Sequence, residues 1–167
     1  MDLFVPTLSQ GLLWSILALG VYLTFRVLDI ADLTVEGSFP LGAAVAARLI
    51  DGGSAPLFAV FAACLAGMCA GAVTGWLTTK LKIPALLAGI LTMIALYSVN
   101  LRVMGKANLS LLRRDTIFTG FSGLFADRQL AVLLVGCVAV LLLSLLFYWF
   151  FGTEIGAAIR ATGFNPH

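Results

Sequence analysis

Charged residues are sparse along this chain, and between them lie the uncharged stretches 3–25, 37–47, 52–79, 83–101 and 129–153. A helix that crosses a bilayer needs about 20 mostly apolar residues. Four of the stretches meet that length to within a residue or so, and 37–47 does not. In lipid, long apolar runs can satisfy their own backbone only as helices. A transmembrane barrel would show short alternating segments instead. Leu130 to Phe151 has none, being interrupted in its apolar composition only by Gly136 and Ser144. The pattern predicts an all-α, polytopic transmembrane helical bundle with about five membrane elements, the second of them discontinuous.

Composition strengthens this. Hydrophobic residues make up 61% and charged residues 11% of the 167, with a mean hydropathy of +1.07. So few polar residues cannot cover the surface of a soluble domain, and disordered chains are poor in apolar residues. The net charge of +2 is spread over scattered basic residues, which excludes the clustered basic face that nucleic acid requires. The N-terminal stretch lacks a basic leader and is longer than a signal-peptide core, so it reads as a retained helix. Cys64, Cys69 and Cys137 lie inside apolar runs without metal or disulfide spacing and read as small buried hydrophobes. The one histidine is His167. No metal cluster, histidine-based nucleophile or phosphate-binding loop can be assembled. The chain reads as non-enzymatic, with no metal or cofactor of its own.

Residues 27–50 carry the most information. A straight spanning helix would take Asp29, Asp32 and Glu36 into the hydrocarbon, at roughly 2.5–3.5 kcal/mol each near the helix centre. A broken element avoids this, provided its irregular part is buried in protein or lines a cavity. A helix starting near Ser38, capped by that hydroxyl and with Pro40 in its first turn, fits the pattern. If helical, the three acids would share a face; a solvated loop would need no such arrangement. Glu36 adjoins the apolar run and is a pathway candidate, because an acid inside a membrane is functional by default. Ser38 is a second. Thr92 and Asn100 on the fourth span are further candidates, against the alternative that they bond to neighbouring helices. Gly67, Gly71 and Gly75 repeat at spacing four and predict a close helix contact; Ala85 and Gly89 form a weaker pair.

Several segments together resemble a known family. Val35-Glu36-Gly37-Ser38-Phe39-Pro40-Leu41-Gly42-Ala43 and Pro84-Ala85-Leu86-Leu87-Ala88-Gly89-Ile90-Leu91-Thr92-Met93 resemble the second-helix and fourth-span motifs of bacterial ABC importer permeases of the branched-chain amino acid and ribose type. Gly152 to Gly163 is similar to that family's cytoplasmic segment leading into the coupling helix. Leu96 to Asn108 resembles the tryptophan/tyrosine transport permease branch. The resemblance implies a second permease subunit forming a homodimer, a cytosolic ABC ATPase that carries ATP and magnesium, and an extracytoplasmic solute-binding protein. It implies ATPase-coupling roles for Glu154, Gly156, Arg160 and Gly163. Residues 1–167 would form one transmembrane permease domain, the N-terminal part of a longer permease, with 152–167 in the cytoplasm.

The resemblance also implies a multi-pass protein of the bacterial cytoplasmic membrane, with the N-terminus outside and residue 167 inside. That leaves Arg26, Lys80, Lys82 and Arg160 inside but Arg48, Arg102, Lys106, Arg113, Arg114 and Arg128 outside, a mild conflict with the positive-inside rule. Loop 105–128 would then be external and would include a short interfacial helix near the binding protein, or simply rest on lipid headgroups. The expected function is the permease subunit of an ATP-driven importer for amino acids or a similar small polar solute. The rival readings are a truncated, non-transporting scaffold and an ion-coupled secondary transporter using the acids near Glu36.

Overall fold

The apolar runs become helices with their large side chains turned outward. The computed structural model describes residues 4–106, 108–111, 114, 116 and 128–164. The described helices are α1 (Phe4–Tyr22), continued by a π-helical turn (Leu23–Val27), α2 (Thr34–Asp51), α3 (Pro56–Thr79), α4 (Ala85–Met104), α5 (Arg128–Phe151) and α6 (Glu154–Phe164). The π turn lengthens the first apolar helix to 24 residues. That helix, α3, α4 and α5 are each long and apolar enough to span a membrane. At 18 residues, α2 extends about 27 Å at 1.5 Å per residue.

Among the described residues, five of the seven buried hydrophobics are alanines: Ala44, Ala59, Ala70, Ala88 and Ala131. Leu57, Phe61, Leu141 and Trp149 are instead well exposed. This inverts the soluble pattern. Lipid tails solvate Leu and Phe as well as a protein core does, so helix contacts are made where small residues let backbones approach.

Contacts divide the chain into two compact units, residues 31–117 and residues 1–30 with 118–167. In the first, α2 packs against both α3 and α4 around Leu41, Ala70 and Leu96. Pro56 opens α3, where a missing N–H costs nothing. In the second unit, α1 packs against α5, Gly136 facing Leu12. Within the loop expected over 105–128, residues 107, 112, 113, 115 and 117–127 lie outside the described residues.

Candidate functional site

The expected break does not fall inside the second element: α2 is continuous from Thr34, and the irregular backbone is the stretch that precedes it, with the helix starting earlier in the chain than the Ser38 signal predicts. Residues 28–33 are not helical, and Asp29 takes a left-handed backbone, φ 54°. Asp29, Asp32 and Glu36 therefore share no helical face. The Thr34 N–H donates to Asp32 Oδ1 at 2.8 Å, which satisfies one of the free donors at the start of α2. Asp32 thus does what was expected of Ser38. Ser38 lies inside the helix and donates its hydroxyl to the Val35 carbonyl at 3.2 Å. Pro40 is likewise in the helix interior rather than its first turn. Having no N–H, it leaves the Glu36 carbonyl without its usual i+4 donor.

Close approach decides why α2 begins there. A Cβ at Gly37 would stand 2.9 Å from the Met93 Cα, and one at Gly89 would stand 2.7 Å from the Leu33 nitrogen and 2.8 Å from Asp32 Oδ1. Gly37 lets α2 lie on α4. Gly89 lets the segment before α2 lie on α4 with its capping carboxylate in place.

Three nearly buried threonines tie this unit together. Thr34 Oγ1 is 2.7 Å from Thr74 Oγ1, and the Thr74 hydroxyl donates to Thr92 Oγ1 at 2.9 Å. With one hydrogen per hydroxyl, the chain runs Thr34 to Thr74 to Thr92. The Ala70 carbonyl, at 3.4 Å from Thr74 Oγ1, is the longer alternative acceptor. The three residues come from α2, α3 and α4, so the chain of hydroxyls joins all three helices. Thr92 is engaged in this bonding and does not line the neighbouring cavity.

That cavity, of about 380 Å³, is lined by Glu36, Gly37, Pro40, Met93, Ile94, Tyr97 and Asn100. Glu36 is exposed. Asn100 is only 9% exposed, and its Oδ1 receives no hydrogen bond. The arrangement offers an exposed carboxylate beside an apolar wall, with an enclosed carboxamide oxygen behind it. Of the pathway candidates, Glu36 and Asn100 meet here, whereas Ser38 and Thr92 do not line the space. Sequence reasoning gave no capping or packing role to Asp32, Thr34, Gly37 and Thr74. An Asp-x-Thr cap signal was present for the first two, while Gly37 and Thr74 acquire meaning only from their partners.

The coupling candidates sit on α6, behind a sharp turn. Thr153 caps that helix: the Gly156 N–H donates to its hydroxyl at 3.3 Å, and the Ala157 N–H donates to its carbonyl at 2.9 Å. A Cβ at Gly156 would collide with the Phe150 carbonyl, so the turn itself requires glycine. Glu154 lies in the first turn, where a carboxylate complements the helix dipole. Arg160 joins Tyr22, Phe147, Tyr148 and Trp149 in lining a second cavity of about 700 Å³. Gly163 lies in the last turn of α6.

Among the described residues, Gly67, Gly71 and Gly75 present an open face rather than a close helix contact. No neighbouring atom stands within 4 Å of a Cβ at any of them. Cys64 and Cys69 are exposed rather than buried, and Cys137 is half-buried; on an outward helix face a small apolar side chain meets lipid at no cost. Among the described residues, no group of three or more His, Cys, Asp or Glu is placed to hold a metal ion.

The family described as branched-chain amino acid transport system / permease component matches residues 3–167. The chain is 37% identical over 161 residues to the tyrosine transport system permease protein of Clostridioides difficile (strain R20291), covering 96% of this chain and 52% of that protein. It is 38% identical over 168 residues to the uncharacterized protein RP368 of Rickettsia prowazekii (strain Madrid E), covering 99% of this chain and 56% of that protein. The chain therefore spans about half the length of the curated relatives it matches. No solved structure matches it.

Proposed function

The chain belongs to the family of branched-chain amino acid transport permease components, and from that premise we propose that it serves as the membrane subunit of an ATP-driven importer for an amino acid or a similar small polar solute. The observation that carries this reading is the similarity to a tyrosine transport permease along 96% of the chain. Four helices long and apolar enough to span a membrane support it.

In this reading Glu36 and Asn100 line the solute's path, and Ser38 and Thr92 shape the helices that wall it. Two copies pair across the bacterial cytoplasmic membrane, with residues 1–167 in one transmembrane domain. The N-terminus is outside and residues 152–167 are cytoplasmic. A cytosolic ATPase, carrying ATP and magnesium, docks near α6, where Glu154, Arg160 and Gly163 transmit its movement and Gly156 maintains the turn. An extracytoplasmic binding protein delivers the solute.

The test is a pull-down of the tagged full-length gene product from native membranes, paired with solute uptake in vesicles. The expected result is recovery of an ATPase containing a phosphate-binding loop, and uptake that stops when ATP is removed. Uptake that survives without ATP but stops when the proton or sodium gradient collapses would replace this reading with ion-coupled transport. Absence of both uptake and an ATPase partner would leave a scaffold.

A further inference from the structure

A carboxamide oxygen buried without a donor loses a hydrogen bond it would have in water, at a cost of roughly 1–3 kcal/mol. Asn100, which borders the α2–α4 cavity, carries such an oxygen, itself enclosed rather than open to that space. The other polar groups around that space are of related character. Glu36 supplies a carboxylate and, because Pro40 has no N–H, a backbone carbonyl freed from its helix bond. Among the described lining residues Glu36 is the single charged one. Tyr97 adds an aromatic ring, and Met93 and Ile94 an apolar wall. Acceptors, one negative charge and an aromatic face are complementary to a cation that donates several hydrogen bonds. An anion would meet repulsion, and none of the described lining residues is cationic.

We propose that this niche binds the protonated primary amine of the transported solute. The ammonium group pairs with the Glu36 carboxylate and lies against the Tyr97 ring, and Asn100 turns its enclosed Oδ1 toward it when the solute binds. A charge-assisted hydrogen bond and a cation–π contact each add to binding in a partly desolvated site. The solute's apolar part rests on Met93 and Ile94, and any carboxylate it carries points away from Glu36. A volume of about 380 Å³ falls within the range of small-molecule sites, about 300–1,000 Å³. The proposal rests on the reading of the chain as a solute permease.

Full-length protein in lipid nanodiscs, without ATP or partner subunits, is tested by equilibrium dialysis with two probes of the same shape, phenethylamine and 2-phenylethanol. The wild type is expected to bind the amine at least tenfold more tightly than the alcohol. Glu36→Gln should abolish that preference, and Asn100→Leu should weaken amine binding about tenfold while leaving the alcohol unchanged. Equal binding of the two probes by the wild type, no binding of either, or an intact preference in Glu36→Gln would overturn the proposal. So would displacement of the amine by sodium but not by potassium at equal ionic strength, which would mark an inorganic cation site. The wild-type comparison stands even if a variant fails to fold. Because binding is read without ATP, failure of ATP-driven uptake would sink the importer reading separately.

Discussion

A methyl group at Gly89 would press on both the Leu33 nitrogen and Asp32 Oδ1, and the first of these is backbone that cannot swing aside. Overpacking of this kind costs about 1–3 kcal/mol. Gly89→Ala in the full-length protein is therefore expected to lower the thermal unfolding temperature in detergent. Gly71→Ala, at a position with open space, should leave the chain's own fold unchanged to within about 0.5 kcal/mol. Equal effects of the two would refute the assignment of close contact to Gly89. The capping carboxylate gives a second comparison: Asp32→Ala should cost about 1 kcal/mol and Asp32→Asn much less, since a carboxamide oxygen also accepts from the Thr34 N–H. Spacing identified the run Gly67, Gly71 and Gly75 as a packing face, yet spacing does not say what lies opposite it. The weaker pair contained the glycine that is in fact pressed against a neighbour.

Helices α2, α3 and α4 are tied by the hydroxyl chain Thr34, Thr74 and Thr92. Thr74 is its middle member, so Thr74→Val removes two hydrogen bonds and leaves two buried hydroxyls short of a partner. Interhelical hydrogen bonds of membrane proteins average about 0.6 kcal/mol and reach about 1.7. A loss of about 1–2 kcal/mol is the expected outcome, with Thr74→Ser close to wild type. Denaturation in mixed micelles measures it; a neutral Thr74→Val would show that the chain of hydroxyls contributes nothing. The threonine on α4 was legible as a polar residue inside an apolar run. That it bonds across three helices, while Asn100 two turns further along stays unpaired beside a cavity, was not legible. The two residues differ in what the neighbouring helices present to them, which periodicity along one helix does not contain.

For the molecule as a membrane protein, orientation and coupling are the properties open to direct test. A reporter fused after Thr116 of the full-length protein is expected to be extracytoplasmic, with one fused after Thr162 in the cytoplasm; the reverse result would invert the proposed topology. Arg160→Glu should insert normally yet reduce ATP-driven uptake severalfold, because Arg160 stands on α6 beside the cavity walled by Tyr22, Tyr148 and Trp149. Unchanged uptake in reconstituted vesicles would remove Arg160 from the coupling role.

Residue order alone established an all-helical, multi-pass membrane chain, where its long spans fall, and that irregular backbone precedes the second helix. Those conclusions rest on the cost of placing charge and unpaired backbone in hydrocarbon, which acts residue by residue and leaves its mark in the order of residues. Tertiary structure decided that Asp32 rather than Ser38 caps α2, that Gly37 and Gly89 are the close contacts of residues 31–117, and that Glu36 and Asn100 face one cavity. Each of these depends on which backbone lies opposite at about 3 Å. A small residue or a hydroxyl is compatible with lipid, with a neighbouring helix or with a cavity, and only the packing of α2 against α3 and α4 selects among them.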